Sequence, residues 1–111
     1  MGKQGLGEFE LLVLLAVLRL GNDQAHAVSI VDEIRARTGR DARRSAVYVT
    51  LQRLEAKGLV STRMGEPTPE RGGKGRRLVR IEPEGLAAVR ATQEALRNMW
   101  GDLAPLRPAD R

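Results

Sequence analysis

Residues 65–75, GEPTPERGGKG, hold two prolines and four glycines, and the interior of a helix or strand does not tolerate that mixture. The runs on either side, LVSTRM (59–64) and RRLVRI (76–81), are short, β-branched and partly alternating in polarity, so each reads as a strand. Together they predict a hairpin with a long basic tip. A phosphate-cradling loop would need a helix after the glycines, and Ser or Thr directly after the lysine. Here Gly75 follows Lys74 and a strand follows the glycines, so the nucleotide reading fails on both counts.

Upstream of the hairpin the apolar spacing becomes helical. Residues 7–20 (GEFELLVLLAVLRL) read as a first helix, and the unbroken apolar run from Leu11 to Leu18 covers all its sides. One small domain rarely buries every face of its first helix, which hints at a second subunit contacted through residues such as Leu11 and Leu15. Gly21-Asn22-Asp23 breaks the chain. A second helix is expected over 26–38, with Val28, Ile30, Val31 and Ile34 on its apolar side and Gly39 as its stop. A third is expected from Asp41 or Arg43 to Lys57, ended by Gly58; Val47, Leu51 and Leu54 form its core stripe. Two helices joined by a short turn, the second leading into a hairpin, predict a helix-turn-helix with a wing.

The last helix is expected to begin at Pro83, a residue suited to the first helical position, and to run to about Leu103. Leu86, Val89, Gln93, Leu96, Trp100 and Leu103 step by three and four along it, a heptad seam. Such a seam fits a helix lying on its own domain or one that pairs with its copy. The uncovered first helix and a polar Gln93 that would set register favour the pair. The tail PLRPADR is expected to add no structure.

The chain has 111 residues, enough for one domain with a modest core. With no cysteine and only His26, it has no disulfide framework and cannot build a thiolate cluster or a catalytic zinc site. No metal or cofactor is expected, and without clustered carboxylates no general base suggests an enzyme. Eight apolar residues in a row are too few to span a membrane. Acidic Glu8 and Glu10 beside that run argue against a secretory signal. The expectation is a soluble, cytoplasmic protein with no membrane partner.

Formal charge is +5 overall, but residues 40–80 hold eleven basic and four acidic side chains, or +7, while the remainder sums to −2. So concentrated a block points to nucleic acid.

Two stretches, LGEFELLVLLAVLRLG and AVYVTLQRLEAKGLVSTRMGEPTPERGGKGRRLVRIEPEGL, resemble the PadR family of bacterial transcriptional regulators, in its short subclass with one C-terminal helix. The similarity covers roughly residues 5–103. Its most specific parts are Tyr48, Leu51, Arg53, Leu54, Glu55 and Gly58 on the third helix, and the RGG wing followed by PEG. Leu78, Val79, Glu82 and His26-Ala27 depart from residues common in that family. The resemblance implies a mainly α fold with a small β-hairpin: a winged helix-turn-helix with a C-terminal dimerisation helix. The expected division is residues 5–82 for the DNA-binding domain, 83–104 for the dimerisation helix and 105–111 for the tail. It further implies a homodimer on an inverted-repeat operator, usually as a repressor, with its subunits joined by the C-terminal helices.

With Val47, Leu51 and Leu54 in the core, the opposite face of the third helix carries Ser45, Val49, Gln52, Arg53 and Ala56, flanked by Arg44 and Tyr48. A helix of this size fits the major groove, where Gln52 can bond an adenine edge and Val49 can pack on a thymine methyl. Arg43 and Arg44 fall at the start of the helix, where their charge opposes the helix dipole unless phosphates approach that end. Tyr48 resembles the family's phosphate-bonding tyrosine; a packing role fits its spacing nearly as well. In the wing, Arg71, Lys74, Arg76 and Arg77 can follow the DNA backbone or enter the minor groove. The dimer contacts expected are Leu11, Leu15, Leu86, Val89, Gln93, Leu96, Trp100 and Leu103. Some PadR-like regulators bind flat aromatic ligands between tryptophans, so Trp100 is a candidate effector contact; core packing is the plainer role. A protein–protein adaptor on the same fold, without DNA contact, is the competing function.

Overall fold

The computed structural model describes residues 5–67 and 75–108. Three helices, α1 (Glu8–Leu20), α2 (Ala27–Thr38) and α3 (Arg44–Ala56), precede the strands β1 (Val60–Met64) and β2 (Arg77–Ile81). Helix α4 (Pro83–Trp100) follows, then a 3-10 turn over Ala104–Leu106. One core joins the helices to the inner face of the hairpin: Val13, Leu14, Val17, Ile30, Val47, Leu54 and Val79 are all buried.

Local chemistry sets the ends of these elements. The Gly7 N–H donates to Glu10 Oε1 at 3.0 Å, which holds the first turn of α1. His26 caps α2, and its N–H donates to Ser29 Oγ at 3.0 Å. Gly39 closes that helix in the left-handed region at φ 75°. At the end of α3, Gly58 has φ 78°, and the Leu59 N–H donates to the Leu54 carbonyl at 2.9 Å. That bond turns the chain directly into β1.

The strands are antiparallel, with Thr62 opposite Val79. The free edge of β2 is held too: the Val79 N–H donates to the Ala25 carbonyl at 2.8 Å, tying the wing to the α1–α2 link. Helix α4 lies so close to the end of α3 that a side-chain carbon on Gly85 would run into the Leu59 carbonyl oxygen.

Several sequence expectations need correction. Val28 is 41% exposed, because Ala27, Ile30 and Ile34 define the inward face of α2 and leave Val28 at least about 100° around the axis from each of them. Helix α4 stops at Trp100 with Gly101 at φ 47°, so Leu103 lies beyond it. Ala104–Leu106, where the proline-bearing tail begins, form a 3-10 turn rather than nothing regular. One side of α1, including Leu15 and Leu18, stays exposed within a single chain.

Glu10 is the most covered carboxylate of the ion pairs in the described residues, and it meets Lys57 Nζ at 2.9 Å. Lys57 caps the C-terminal end of α3, so the pair ties that helix to α1. The hydrogen bond from Lys57 is the main reason its carboxyl titrates below the usual range, with the Gly7 N–H next. Burial pulls the other way, and the charges of Lys57 and Arg53 add to the lowering. A lowered folded pKa makes its stability contribution present above the unfolded value of about 4.3, and lost as pH falls through the folded one. Wild type should therefore exceed Glu10→Gln in urea stability at neutral pH, and the gap should close on acidification below about pH 4.

Candidate nucleic-acid interface

The face of α3 opposite the core is open. Ser45, Tyr48, Val49, Gln52, Arg53 and Ala56 are exposed, with Tyr48 at 49% and Val49 at 46%. The inward positions Val47, Leu51 and Leu54 are buried, and so is Thr50. Thr50 was not legible as core, because a lone threonine carries no periodic signal of its own. Half-exposed Tyr48 and Val49 give a groove-sized helix an apolar contact surface among polar groups.

Arg43 is the N-cap of α3 and makes no side-chain cap bond; Arg44 is the first helical residue. The first turn holds no acidic residue. Its unbonded N–H groups and two guanidinium groups thus share one solvent-facing end, an arrangement suited to phosphate.

The ion pairs sort the basic block into two sets. Arg40 pairs with Glu8 at 3.3 Å and also covers the Phe9 ring, Lys57 pairs with Glu10, and Arg63 pairs with Asp23 at 2.8 Å. Asp41, next to the arginines of α3, is turned to Arg35 of α2 at 2.7 Å. Glu55 accepts from Thr62 Oγ1 at 3.2 Å, and Thr62 Oγ1 accepts from Arg77 Nη1 at 3.0 Å. Among the described residues of this block, Arg43, Arg44, Arg53, Arg76, Arg77 and Arg80 have no ion-pair partner, as is also true of Arg19 and Arg90 elsewhere. The described cations expected to meet DNA, Arg43, Arg44, Arg53, Arg76 and Arg77, are thus all without an ion pair, and Arg77 bonds only the neutral Thr62 hydroxyl.

Arg80 was not singled out from sequence. Its signal was the alternation of β2, where Val79 is buried and Arg80 exposed. Arg71 and Lys74, expected in the wing tip, lie outside the described residues. Of the expected subunit contacts, Leu86 is half-buried and Val89 is 8% exposed, packed in the core of its own chain. Gln93, Leu96, Trp100 and Leu103 are exposed, and Leu11 is half-buried. The seam therefore divides: its first turn serves the domain, and the rest is uncovered.

No helix among the described residues is long and apolar enough to cross a membrane. No group of three or more metal-capable side chains occurs among them.

Three helices, a two-stranded wing and an uncompensated arginine face define a winged helix-turn-helix DNA-binding protein. The chain belongs to the PadR-like family of transcriptional regulators, whose family model matches residues 14–91. These are regulators of transcription, not enzymes. The fold is similar to that of a PadR family regulator from hypervirulent Clostridium difficile R20291 at a TM-score of 0.68 and 18% identity, covering 84% of this chain and 91% of that one. It is also similar to a PadR family regulator from Eggerthella lenta DSM 2243, at a TM-score of 0.61 and 26% identity over 90% and 88% of the two chains. A third similar structure is BpsR of Bordetella bronchiseptica, whose DNA binding is regulated by 6-hydroxynicotinic acid; its TM-score is 0.62, with 20% identity over 95% and 73% of the chains. A comparison with curated proteins returns no match.

Proposed function

We propose that this chain acts in the cytoplasm as a homodimeric repressor that binds an inverted-repeat operator. The observation that carries the proposal is the set of unpaired arginines around α3 and the wing base, beside half-exposed Tyr48 and Val49. A protein–protein adaptor would have no use for guanidinium groups gathered and left uncompensated in this way. In the proposed complex α3 lies in the major groove, Arg43, Arg44 and Tyr48 hold phosphates, and Val49 and Gln52 read base edges. Arg53, Arg76 and Arg77 add backbone contacts, together with Arg71 and Lys74 of the tip.

Selection of bound fragments from genomic DNA, followed by anisotropy titration at several salt concentrations, tests this. With about three to five phosphates neutralised per subunit, the log–log salt slope of the dimer should lie near −5 to −9. Absence of binding at low salt would sink the proposal. Replacing Gln52 with Ala should relax preference at one base pair per half-site by about 1–3 kcal/mol and leave the salt slope unchanged.

Supporting a planar aromatic effector near Trp100 are the 55% exposure of that side chain and the ligand control of BpsR. Titrating planar aromatic compounds should quench or shift the fluorescence of this single tryptophan. An unchanged signal at saturating concentrations removes Trp100 from any effector site.

A further inference from the structure

Glu55 is the only acidic residue of α3. It is exposed, and no cation among the described residues is paired with it. Seven residues after Tyr48, it lies only about 20° from it around the helix axis, so both occupy one flank of the DNA-facing surface. A bare carboxylate there repels phosphate. What Glu55 holds is a hydroxyl. Thr62 Oγ1 of β1 donates to Glu55 Oε2 at 3.2 Å, and Arg77 Nη1 of β2 donates to the same Oγ1 at 3.0 Å.

We propose that Glu55 and Thr62 are positioning residues for Arg77: the carboxylate orients the hydroxyl, and the hydroxyl holds the guanidinium ready for a DNA phosphate. The inference rests on the DNA-binding reading and goes beyond it by giving a role to two residues that carry no positive charge.

A hydroxyl has one proton and two lone pairs. With the proton committed to Glu55, only its lone pairs remain, and Arg77 supplies the matching donor. Each bond polarises the next, so the chain is stronger than its parts taken singly. One of the five guanidinium N–H groups is used, which leaves a planar fork for phosphate oxygens. Direct contact with Glu55 would have filled that fork with a carboxylate. The intervening hydroxyl orients Arg77 and leaves it cationic.

The backbone brings the three groups together. Thr62 faces Val79 across the ladder, and Arg77 is two residues from Val79 along β2, a diagonal that a long side chain spans. Glu55 is in the last turn of α3, and the turn at Gly58 returns the chain beside it as β1. The reading helix and both wing strands thus meet at one hydroxyl. An arginine already held there loses less rotamer freedom when phosphate arrives.

Thr62 variants separate this role from simple charge, because none of them alters it. Thr62→Val keeps the shape and the strand preference and removes the hydroxyl. Titrated with mixed-sequence duplex DNA near 0.1 M salt, it should bind about 3- to 30-fold more weakly, with the log–log salt slope of the dimer flattened by about 1 to 2. Its circular dichroism and urea midpoint should stay at the wild-type values. Thr62→Ser should restore affinity and slope, and adding Thr62→Val to Arg77→Ala should weaken binding no further. Wild-type affinity and slope in Thr62→Val, failure of Thr62→Ser to restore them, or an undiminished Thr62→Val loss in the Arg77→Ala background would each overturn the proposal and leave the DNA-binding reading standing. A wild-type protein that binds no duplex at low salt would overturn both.

Discussion

Replacing Arg43 and Arg44 together with Ala should lower DNA affinity by about two to four orders of magnitude near 0.1 M salt, equally for every sequence. The size follows from counterion release. Two arginines in each of two subunits remove up to four phosphate contacts, each worth about 0.9 in the log–log slope, so the slope should flatten by about 3 to 4. Folding should not suffer. Both side chains are exposed, Arg43 contributes no cap bond, and no carboxylate in the described residues is paired to either. Removing positive charge from the start of α3 should even stabilise that helix by a few tenths of a kcal/mol, about 0.3 or more per charge at low ionic strength. Opposite signs for stability and affinity would mark the pair as placed for phosphate. Unchanged affinity and slope in anisotropy titrations would take the start of α3 out of the interface.

The second large effect is expected at a residue that touches no DNA. Gly85 is in the first turn of α4, where alanine would ordinarily favour the helix by up to about 1 kcal/mol. Here the added carbon meets the Leu59 carbonyl oxygen and comes within 2.9 Å of Ile81 Cγ1. That carbonyl already accepts from the Glu82 N–H at 2.9 Å, so it is not free to turn away. Helix α4 must lift from the β1 entry, and such overpacking costs about 1–3 kcal/mol. Gly85→Ala should therefore lose stability despite its better propensity, with Tm falling by roughly 5–15 °C for a domain of this size. DNA binding should weaken along with it, since α4 carries the surface expected to pair the subunits. An unchanged or raised Tm in thermal unfolding would show that the contact relaxes freely.

Much of the fold was legible because its signals are local. The wing loop announces itself through prolines and glycines, Gly39 and Gly58 sit where the chain turns left-handed, and Val47, Leu51 and Leu54 show their period directly. The outer face of α3 followed by subtraction. What misled was also local reasoning. Val28 looked apolar enough to be core, and the seam on α4 looked uniform. Packing of Val89 against the domain, and the break at Gly101, split that seam into a part used within the chain and a part left over.

The sequence by itself determined the order of elements, the winged helix-turn-helix and the position of the basic block, because helix period, turn chemistry and net charge depend on near neighbours. Only the tertiary structure decided which arginines are free. Glu8, Glu10 and Asp23 compensate Arg40, Lys57 and Arg63 from 32, 47 and 40 residues away, and no spacing rule reaches across such gaps. Folding brings α1 and its following link against the α2–α3 link, the C-terminal end of α3 and strand β1. It thereby quenches the cations that hold the domain together and leaves Arg43, Arg44, Arg53 and Arg76 facing solvent.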